Sequence, residues 1–325
     1  MKTVLVTGGA GFIGSHLSDK LTAKGFSTVI LDNLTTGKKS YIPKKAVFYK
    51  GDVKNIADVE SVFQKHRIDV VFHIAGQAST ITSFSDPSMD VSVNFNGTMN
   101  ITLSCVKYKV PRLLFASSMV AYGHPKHLPI EETQPCIPIS YYGITKYTAE
   151  RFVHATAQRN DLKSPLFVTS FRMFNVYGPR QSLTNPYQGA MAIFIGNVMR
   201  NEPITIYGDG KQARDFVYID DVVDAWINAA DNKRTFGNIY NIGYGKMVSI
   251  NSLIAAIVAS FGKDPASYPI RYGKERPGDQ RFMEADISFA SKDIGFHPQI
   301  PLEEGLRRTI AWAKQTTRKK QKQSS

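Results

Sequence analysis

The stretch TGGAGFIG, residues 7–14, decides the fold of this 325-residue chain. An apolar run, residues 4–6, precedes it and an amphipathic stretch follows it, which predicts a strand, a glycine-rich turn and a helix. Gly8, Gly11 and Gly14 have the spacing of a dinucleotide-binding turn. In such a turn the three glycines permit, in order, the tight bend, the approach of a pyrophosphate and close packing of the helix on the strand. We therefore expect a pyrophosphate at the N-terminus of the first helix.

Strands alternate with helices over the first half of the chain. Predicted strands cover residues 27–31, 46–50, 70–74, 113–116 and 166–173, and predicted helices cover 56–66, 91–108 and a segment that begins near Tyr142. This alternation predicts a parallel sheet with helices on both faces, whose ligand residues collect at the carboxyl ends of the strands. Beyond Asn175 the helical stretches 188–200, 222–230 and 250–261 are separated by short strands and many Gly and Pro residues.

The fold class that follows is α/β, a Rossmann-like doubly wound parallel sheet with a smaller mixed α/β C-terminal substrate lobe. We expect a cofactor domain at residues 1–175 and a substrate lobe at 176–313. The two share a core, and a return of the chain to the first sheet is left open. Residues 314–325 are expected to form a basic, flexible tail.

Composition argues against several classes of protein. No apolar run approaches the ~20 residues that span a bilayer, so membrane insertion is not expected. The two cysteines, Cys105 and Cys136, form no disulfide framework and favour a cytoplasmic location. The net charge is +13, and residues 314–325 contain five cations and no acid. Because no nucleic-acid reader motif accompanies them, we expect an anionic small-molecule substrate rather than a nucleic-acid partner. No cluster of side chains has metal-ligand spacing, so no metal is expected.

Asp32 lies eighteen residues after Gly14, at the end of the second predicted strand. A carboxylate at this place accepts hydrogen bonds from the adenosine ribose hydroxyls and repels a 2′-phosphate. No Arg occurs in the stretch that follows, residues 33–37. The sequence therefore favours NAD over NADP.

Tyr142 and Lys146 are spaced i, i+4, which places both on one face of a helix. A phenol with a pKa near 10 is a poor base at neutral pH, but a nearby ammonium and the positive nicotinamide of NAD favour the phenolate. Ser118, at the end of the fifth predicted strand, could share the substrate hydroxyl proton with Tyr142. Tyr141 is the rival phenol, but Lys146 is then at i+5, on a different face.

Four motifs carry a resemblance to a known family. They are TGGAGFIG at 7–14, SSMVAYG at 117–123, YGITK at 142–146 and RDFV at 214–217. Through them the chain resembles the extended short-chain dehydrogenase/reductase family, and within it the NAD-dependent nucleotide-sugar epimerases of the UDP-glucose 4-epimerase type. The resemblance covers residues 2 to about 312. It implies a Rossmann domain, a sugar-nucleotide lobe, NAD as cofactor and a homodimer formed through helix 91–108 and the Tyr142 helix.

The residue pattern and the resemblance together assign three sets of site residues. The predicted catalytic residues are Ser118, Tyr142 and Lys146. The predicted cofactor-binding residues are Gly8, Gly11, Phe12, Ile13, Asp32, Asn33, Thr36, Gly37, Asp52, Val53, Ala75, Gly76, Gln77, Asn94, Tyr142 and Lys146. The predicted substrate-binding residues are Ser79, Ser118, Tyr142, Asn175, Arg214, Arg276, Asp279 and Met283. A planar guanidinium suits a pyrophosphate, which supports the two arginines in this role.

The resemblance implies reversible 4-epimerisation of a UDP-hexose, through a transient 4-keto intermediate. The sugar pair is UDP-glucose/UDP-galactose or its N-acetylated counterpart, since a Met at position 283 is intermediate in volume between the residues that restrict and enlarge the family's sugar pocket. Met119 and Val120 follow Ser118 where the family's dehydratases have an acid pair, which argues against elimination chemistry.

Three alternatives stay open at this point. The chain could be a UDP-glucuronate 4-epimerase or a nucleotide-sugar oxidoreductase with net NAD turnover. The galactose-epimerase branch often has a Lys shortly after the Ala-Gly of the fourth strand, where this chain has QAS at 77–79, so the exact sugar is not fixed. A non-catalytic NAD-sensing scaffold is disfavoured, since a sensor needs only the glycine turn and not the Ser, Tyr and Lys of the catalytic set.

Overall fold

The computed structural model describes residues 1–185 and 189–323, with side chains up to Thr317. The strands are β1 (Thr3–Thr7), β2 (Ser27–Asp32), β3 (Val47–Lys50), β4 (Val70–His73), β5 (Arg112–Ser118), β6 (Phe167–Met173), β7 (Asn175–Tyr177), β8 (Ile204–Tyr207), β9 (Ala213–Tyr218), β10 (Ile239–Ile242), β11 (Met247–Ser249), β12 (Ile270–Gly273) and β13 (Phe282–Met283). The helices are α1 (Phe12–Ala23), α2 (Ile56–Lys65), α3 (Thr80–Ser85), α4 (Pro87–Asp90), α5 (Gly97–Lys107), α6 (Tyr141–Ala157), α7 (Ala190–Arg200), α8 (Ile219–Ala230), α9 (Ile250–Ser260), α10 (Ser288–Ile294) and α11 (Leu302–Gln323). A π-helical segment, Val91–Asn96, joins α4 to α5.

Seven strands form the central sheet in the order β10-β6-β5-β4-β1-β2-β3, and all of their pairings are parallel. The strand order reverses between β1 and β4, which is where open α/β sheets bind their ligands. The glycine-rich turn follows β1 at this switch point. The predicted Rossmann-like α/β fold is confirmed.

Helices cover both faces of the sheet. Val62 of α2, Ile101 of α5 and Val153 of α6 are fully buried in the core of one face. On the other face Leu21 of α1 and Trp226 of α8 are fully buried in a second core. This second core extends without a break into the C-terminal lobe through buried residues of α7, α9 and α11, so the two lobes share it.

The chain returns to the central sheet after it has entered the second lobe. Strand β10 pairs with β6 at the sheet edge, and α8 packs on α1. A smaller sheet, β11-β9-β13 with β7 beside β9, builds the lobe itself, and β12 pairs with β8 next to it. A boundary at residue 175 therefore separates the lobes only along part of the chain.

Three expectations need correction or restriction. The helix expected at 91–108 begins earlier, at Pro87, and its first part is widened into the π-helical segment. The helix expected at 188–200 begins at Ala190, while Gln188 lies outside the described residues. The tail expected to be flexible continues α11 as a helix to Gln323, because Lys, Arg and Gln are good helix formers and no Gly or Pro interrupts them. Residues 324 and 325 lie outside the described part. None of the described helices combines the length and the apolar character needed to cross a membrane.

Candidate active site

The glycine-rich turn has no room for side chains at Gly8 and Gly14. Gly8 has a φ of +69°, and a Cβ there would lie 2.9 Å from the backbone of Ala75 at the end of β4. A Cβ at Gly14 would lie 2.1 Å from the Gly8 carbonyl oxygen. Helix α1 begins after Gly11 with no side-chain cap and no acid in its first turn, so the N–H groups of Phe12 and Ile13 have no partner within the helix. The turn thus offers free donors and a positive helix dipole to a pyrophosphate.

Asp32 organises the loop that follows β2. Its Oδ2 accepts the N–H of Ala10 at 2.9 Å, and its Oδ1 accepts the N–H of Leu34 at 2.7 Å. A Cβ at Gly37 would lie 2.9 Å from Asp32 Oδ1, so only glycine fits there. Each carboxylate oxygen has a second lone pair, which leaves acceptor capacity for ribose hydroxyls.

The remaining predicted cofactor residues lie at neighbouring strand ends. Asn33 donates to Asp52 Oδ2 at 3.0 Å, which links the ends of β2 and β3. Asn94 accepts the N–H of Gln77 at 2.9 Å and donates to its carbonyl oxygen at 3.1 Å, which fixes the loop after β4. The glycine-rich turn, the uncapped helix and the carboxylate at the end of β2 fit NAD. Thr36 and Gly76 are exposed, Val53 is buried and Ala75 is partly exposed.

Ser118, Tyr142 and Lys146 are brought together in a buried setting. Ser140 caps α6 by accepting the N–H of Gly143 at 3.1 Å, which starts the helix directly before the two predicted residues. Tyr142 is 9% exposed and Lys146 is 4% exposed, whereas the rival Tyr141 is 44% exposed and packs on a ring at the surface. The structure therefore places Tyr142, not Tyr141, beside the sheet end.

Burial has the largest effect on the pKa values of Tyr142 and Lys146. It raises the pKa of Tyr142 to about 12, with a hydrogen bond from Ser118 acting to lower the pKa and the charge of Asp90 acting to raise it. Burial also lowers the pKa of Lys146 to about 8, against the charges of Asp90 and Glu150. The contribution that favours the phenolate comes from Ser118 rather than from Lys146. A phenolate in this site therefore needs further positive charge, which a bound nicotinamide would bring.

The predicted substrate residues fall into two groups. Arg214 and Asp279 form an ion pair, and Arg214 Nη1 donates to the carbonyl oxygens of Ala213 and Arg281 at 3.0 and 3.1 Å. The guanidinium of Arg276 stacks on the Tyr207 ring at 3.6 Å. Arg214 and Asp279, which the sequence analysis named separately, are therefore direct partners.

The loop that carries Arg276 and Asp279 reaches the catalytic helix. A Cβ at Gly278 would lie 3.1 Å from the Phe84 ring and 3.2 Å from the Ser140 Cβ. Gln280 donates to the Gly123 carbonyl oxygen at 2.6 Å, which ties the same loop to the segment after β5. The structure thus places the candidate diphosphate loop against the N-terminus of α6.

Three predicted substrate residues have structural partners. Ser79 is buried and caps α3 by accepting the N–H of Thr82 at 3.1 Å. Asn175 donates to the Asp215 carbonyl oxygen at 3.3 Å. Met283 is fully buried in a cluster with Met119, Tyr122, Ile130, Phe174 and Ala285, so it shares a core with residues that follow Ser118.

Asp215, Asp90 and Glu150 are fully buried acids that sequence reasoning did not single out. Asp215 accepts the N–H groups of Gly245 and Ala285 at 2.9 and 3.1 Å, and burial raises its pKa to about 6. It lies inside the RDFV motif, so the motif was the available signal. Asp90 and Glu150 belong to no motif. No cluster of three or more His, Cys, Asp or Glu side chains able to hold a metal occurs among the described residues.

Comparison with known proteins agrees with this geometry. Residues 4–243 match the family model described as NAD dependent epimerase/dehydratase family. The putative UDP-glucose 4-epimerase of Methanocaldococcus jannaschii is 38% identical over 316 residues, which are 97% of this chain and 99% of that protein.

Solved structures are also similar over nearly the whole chain. The UDP-glucose 4-epimerase of Thermotoga maritima, with UDP-glucose, has a TM-score of 0.91 at 36% identity and covers 97% of this chain and 99% of its own. The UDP-N-acetylglucosamine 4-epimerase of Methanobrevibacter ruminantium M1, in complex with UDP-N-acetylmuramic acid, has a TM-score of 0.88 at 32% identity with the same coverage. These proteins share a nucleotide-sugar chemistry and differ in the sugar.

Proposed function

The chain belongs to the NAD-dependent epimerase/dehydratase family, and from this premise we propose that it catalyses reversible 4-epimerisation of a UDP-hexose. The observation that carries the proposal is the buried placement of Tyr142 and Lys146 on one face of α6, with Ser118 acting on the phenol. A sensor of NAD would need the glycine turn alone. The neutral Met119 after Ser118 is buried in an apolar cluster, which does not suit an elimination that needs an acid there.

Tyr142 is the proposed general base in this reaction. Its phenolate takes the proton of the sugar 4-hydroxyl, and Ser118 shares that proton through its own hydroxyl. Lys146, one helical turn away, contributes its ammonium to the same face of the site. The chemistry that NAD supplies when bound is uptake of the C4 hydride and its return to the opposite face of the sugar. Because no net redox change occurs, the cofactor need not exchange between turnovers.

Arg214 and Arg276 are proposed to hold the nucleotide diphosphate while the 4-keto sugar rotates in the site. Arg276, on an aromatic ring, presents a planar fork to an anion. Arg214 is oriented by Asp279 and two carbonyl oxygens. The loop that carries Arg276 and Asp279 lies against Ser140 at the start of α6, which supports a single site for the diphosphate and the reacting sugar.

We also propose a homodimer formed through the helices that flank the catalytic face. Leu103 of α5 is 41% exposed and Ile144 of α6 is 46% exposed. A groove between α5 and α6, lined by Met99, Leu103 and Phe152, continues this apolar surface. An apolar helix pair of this kind is typical of a surface covered by a second subunit.

The test is an assay of the purified protein on a panel of UDP- and TDP-sugars without added cofactor, with the products identified by NMR. We expect interconversion of a 4-epimeric pair and a decrease of kcat of at least ~10²-fold in Tyr142→Phe, as for loss of a general base. Tyr141→Phe is the matched control, because it removes the neighbouring but exposed phenol, and it should retain activity. Near-normal turnover in Tyr142→Phe, or product formation only with stoichiometric NAD, would contradict the proposal.

A further inference from the structure

A buried carboxylate lies beside the candidate catalytic pair. Asp90 is the last residue of α4 and is fully buried. Its Oδ1 accepts hydrogen bonds from Gln77 Nε2 at 2.7 Å and from Asn94 Nδ2 at 3.2 Å. Its Oδ2 accepts a hydrogen bond from the hydroxyl of Thr145 on α6. Asp90 thereby joins the loop after β4, the π-helical segment and the catalytic helix.

This network leads directly to the reacting groups. Thr145 precedes Lys146 in the chain, and its hydroxyl also lies 3.1 Å from the Tyr142 carbonyl oxygen. The widened π-helical turn after Asp90 holds Asn94 on the same side as the carboxylate. A Cβ at Gly76 would lie 3.0 Å from Asn94 Oδ1 and 3.7 Å from Lys146 Nζ, so the network and the ammonium face one small space.

Asp90 is a carboxylate near Lys146 whose hydrogen-bond partners carry no charge, so its own charge acts on the ammonium. The second carboxylate near Lys146 is Glu150, and both of its oxygens are engaged by Arg172, at 2.6 and 3.0 Å. On β4, His73 also faces Lys146, and burial lowers its pKa to about 3, so it is neutral at physiological pH. Burial raises the pKa of Asp90 itself, while its hydrogen bonds and the charge of Lys146 oppose that rise.

We propose that Asp90 is a positioning residue that sets the protonation of the Tyr142–Lys146 pair through its charge and through Thr145. It keeps the ammonium charged, and it restrains the phenol from ionising until positive charge arrives with the cofactor. This inference rests on the acid–base role proposed above for Tyr142. It assigns a function to a carboxylate that does not touch the substrate and belongs to none of the four motifs.

Asp90→Asn keeps the shape of the side chain and removes its negative charge. Loss of a negative charge lowers the pKa of the ammonium and of the phenol, so both limbs of the pH profile of kcat should move to lower pH by about one unit. Asp86→Asn is the matched control, because it removes the same charge one turn earlier, on the exposed N-cap of α4. A merely structural role for Asp90 would lower kcat and leave both limbs where they are, and that result would overturn the proposal.

A second measurement separates this inference from the proposed function. Ultraviolet absorbance of the tyrosinate, taken as the difference between each NAD-loaded protein and its Tyr142→Phe counterpart, reports the phenol without turnover. We expect Asp90→Asn to ionise Tyr142 at a lower pH than the parent protein and Asp86→Asn to match the parent. If Tyr142→Phe remains active, the proposed function fails while the titration still tests Asp90. If Tyr142→Phe is inactive and the titration is unmoved in Asp90→Asn, the role of Asp90 alone is refuted.

Discussion

Removal of one partner of the buried ion pair between Arg172 of β6 and Glu150 of α6 should strongly destabilise the native fold. The exposed fractions of the two side chains are 5% and 0%. Two charge-assisted hydrogen bonds join them, and the Ser117 hydroxyl donates to Glu150 Oε2 at 2.6 Å. Burial alone would lower the pKa of Arg172, but Glu150 outweighs it and raises the pKa above its ordinary value. The pair fastens the catalytic helix to the sheet.

Glu150→Gln removes one charge and leaves the buried guanidinium without a counter-ion. Loss of one partner of a buried pair costs about 3–5 kcal/mol in the free energy of unfolding. For a chain of 325 residues the unfolding entropy is about 0.7 kcal/mol per degree, so the cost corresponds to a decrease in Tm of about 4–7 °C. The measurement is thermal unfolding at one fixed NAD concentration, since bound cofactor itself raises Tm.

The control is an exposed pair of the same chemistry. Arg159 and Asp161 are joined at 2.7 Å with side chains 47% and 63% exposed, so solvent screens the pair and Asp161→Asn should leave Tm nearly unchanged. The double variant Glu150→Leu/Arg172→Met should recover much of the loss, because apolar side chains of similar volume replace both charges. Equal effects of Glu150→Gln and Asp161→Asn would refute the argument.

Three further outcomes follow from the site. Asp32→Ser should raise the affinity for NADPH relative to NADH at least about tenfold, because a carboxylate repels the 2′-phosphate, and cofactor fluorescence titrations measure the ratio. Met283→Tyr should lower kcat/KM for UDP-N-acetylglucosamine relative to UDP-glucose, by a ratio equivalent to about 1–3 kcal/mol. Met283→Ser should raise the same ratio. Equal changes on both sugars would show that Met283 does not set the size of the sugar pocket. His73 is neutral when folded and protonates more easily when unfolded, so stability should fall by up to about 1.4 kcal/mol per pH unit as pH decreases from 6.5 towards 3; unfolding of His73→Asn in denaturant should lack this slope.

Local pattern made much of the first lobe predictable. The glycine turn, the strand before it and the helix after it are specified by residues within a few positions of each other, and the structure has them at β1 and α1. The i, i+4 spacing likewise placed Tyr142 and Lys146 on one face without knowledge of the fold. The return of β10 to the sheet had no such signal, because a four-residue strand pairs with β6 from about seventy residues away.

The role of Asp90 also could not be predicted from local sequence. Asp90 becomes a partner of Thr145 only when α4 packs against α6, and its sequence neighbours give no sign of this. A carboxylate in a short helix reads as a solvated surface residue unless its burial is known. The network that we assign to it therefore depends on tertiary packing, whereas the pair that it acts on can be found by spacing alone.

Arg214 shows how packing changes the role that a residue predicted from the sequence can take. The sequence suggested two free arginines for a diphosphate, but a guanidinium has five N–H donors, and Arg214 already uses several on Asp279, Ala213 and Arg281. Asp279 also neutralises the charge of Arg214, whereas the contacts of Arg276 in the described part of the chain include an aromatic ring and no ion pair. In the proposed site Arg214 and Asp279 would form a fixed support whose remaining donors keep one orientation, and the stacked Arg276 would attract the anion. Such an arrangement would suit the proposed reaction, in which the sugar rotates while the nucleotide diphosphate stays bound.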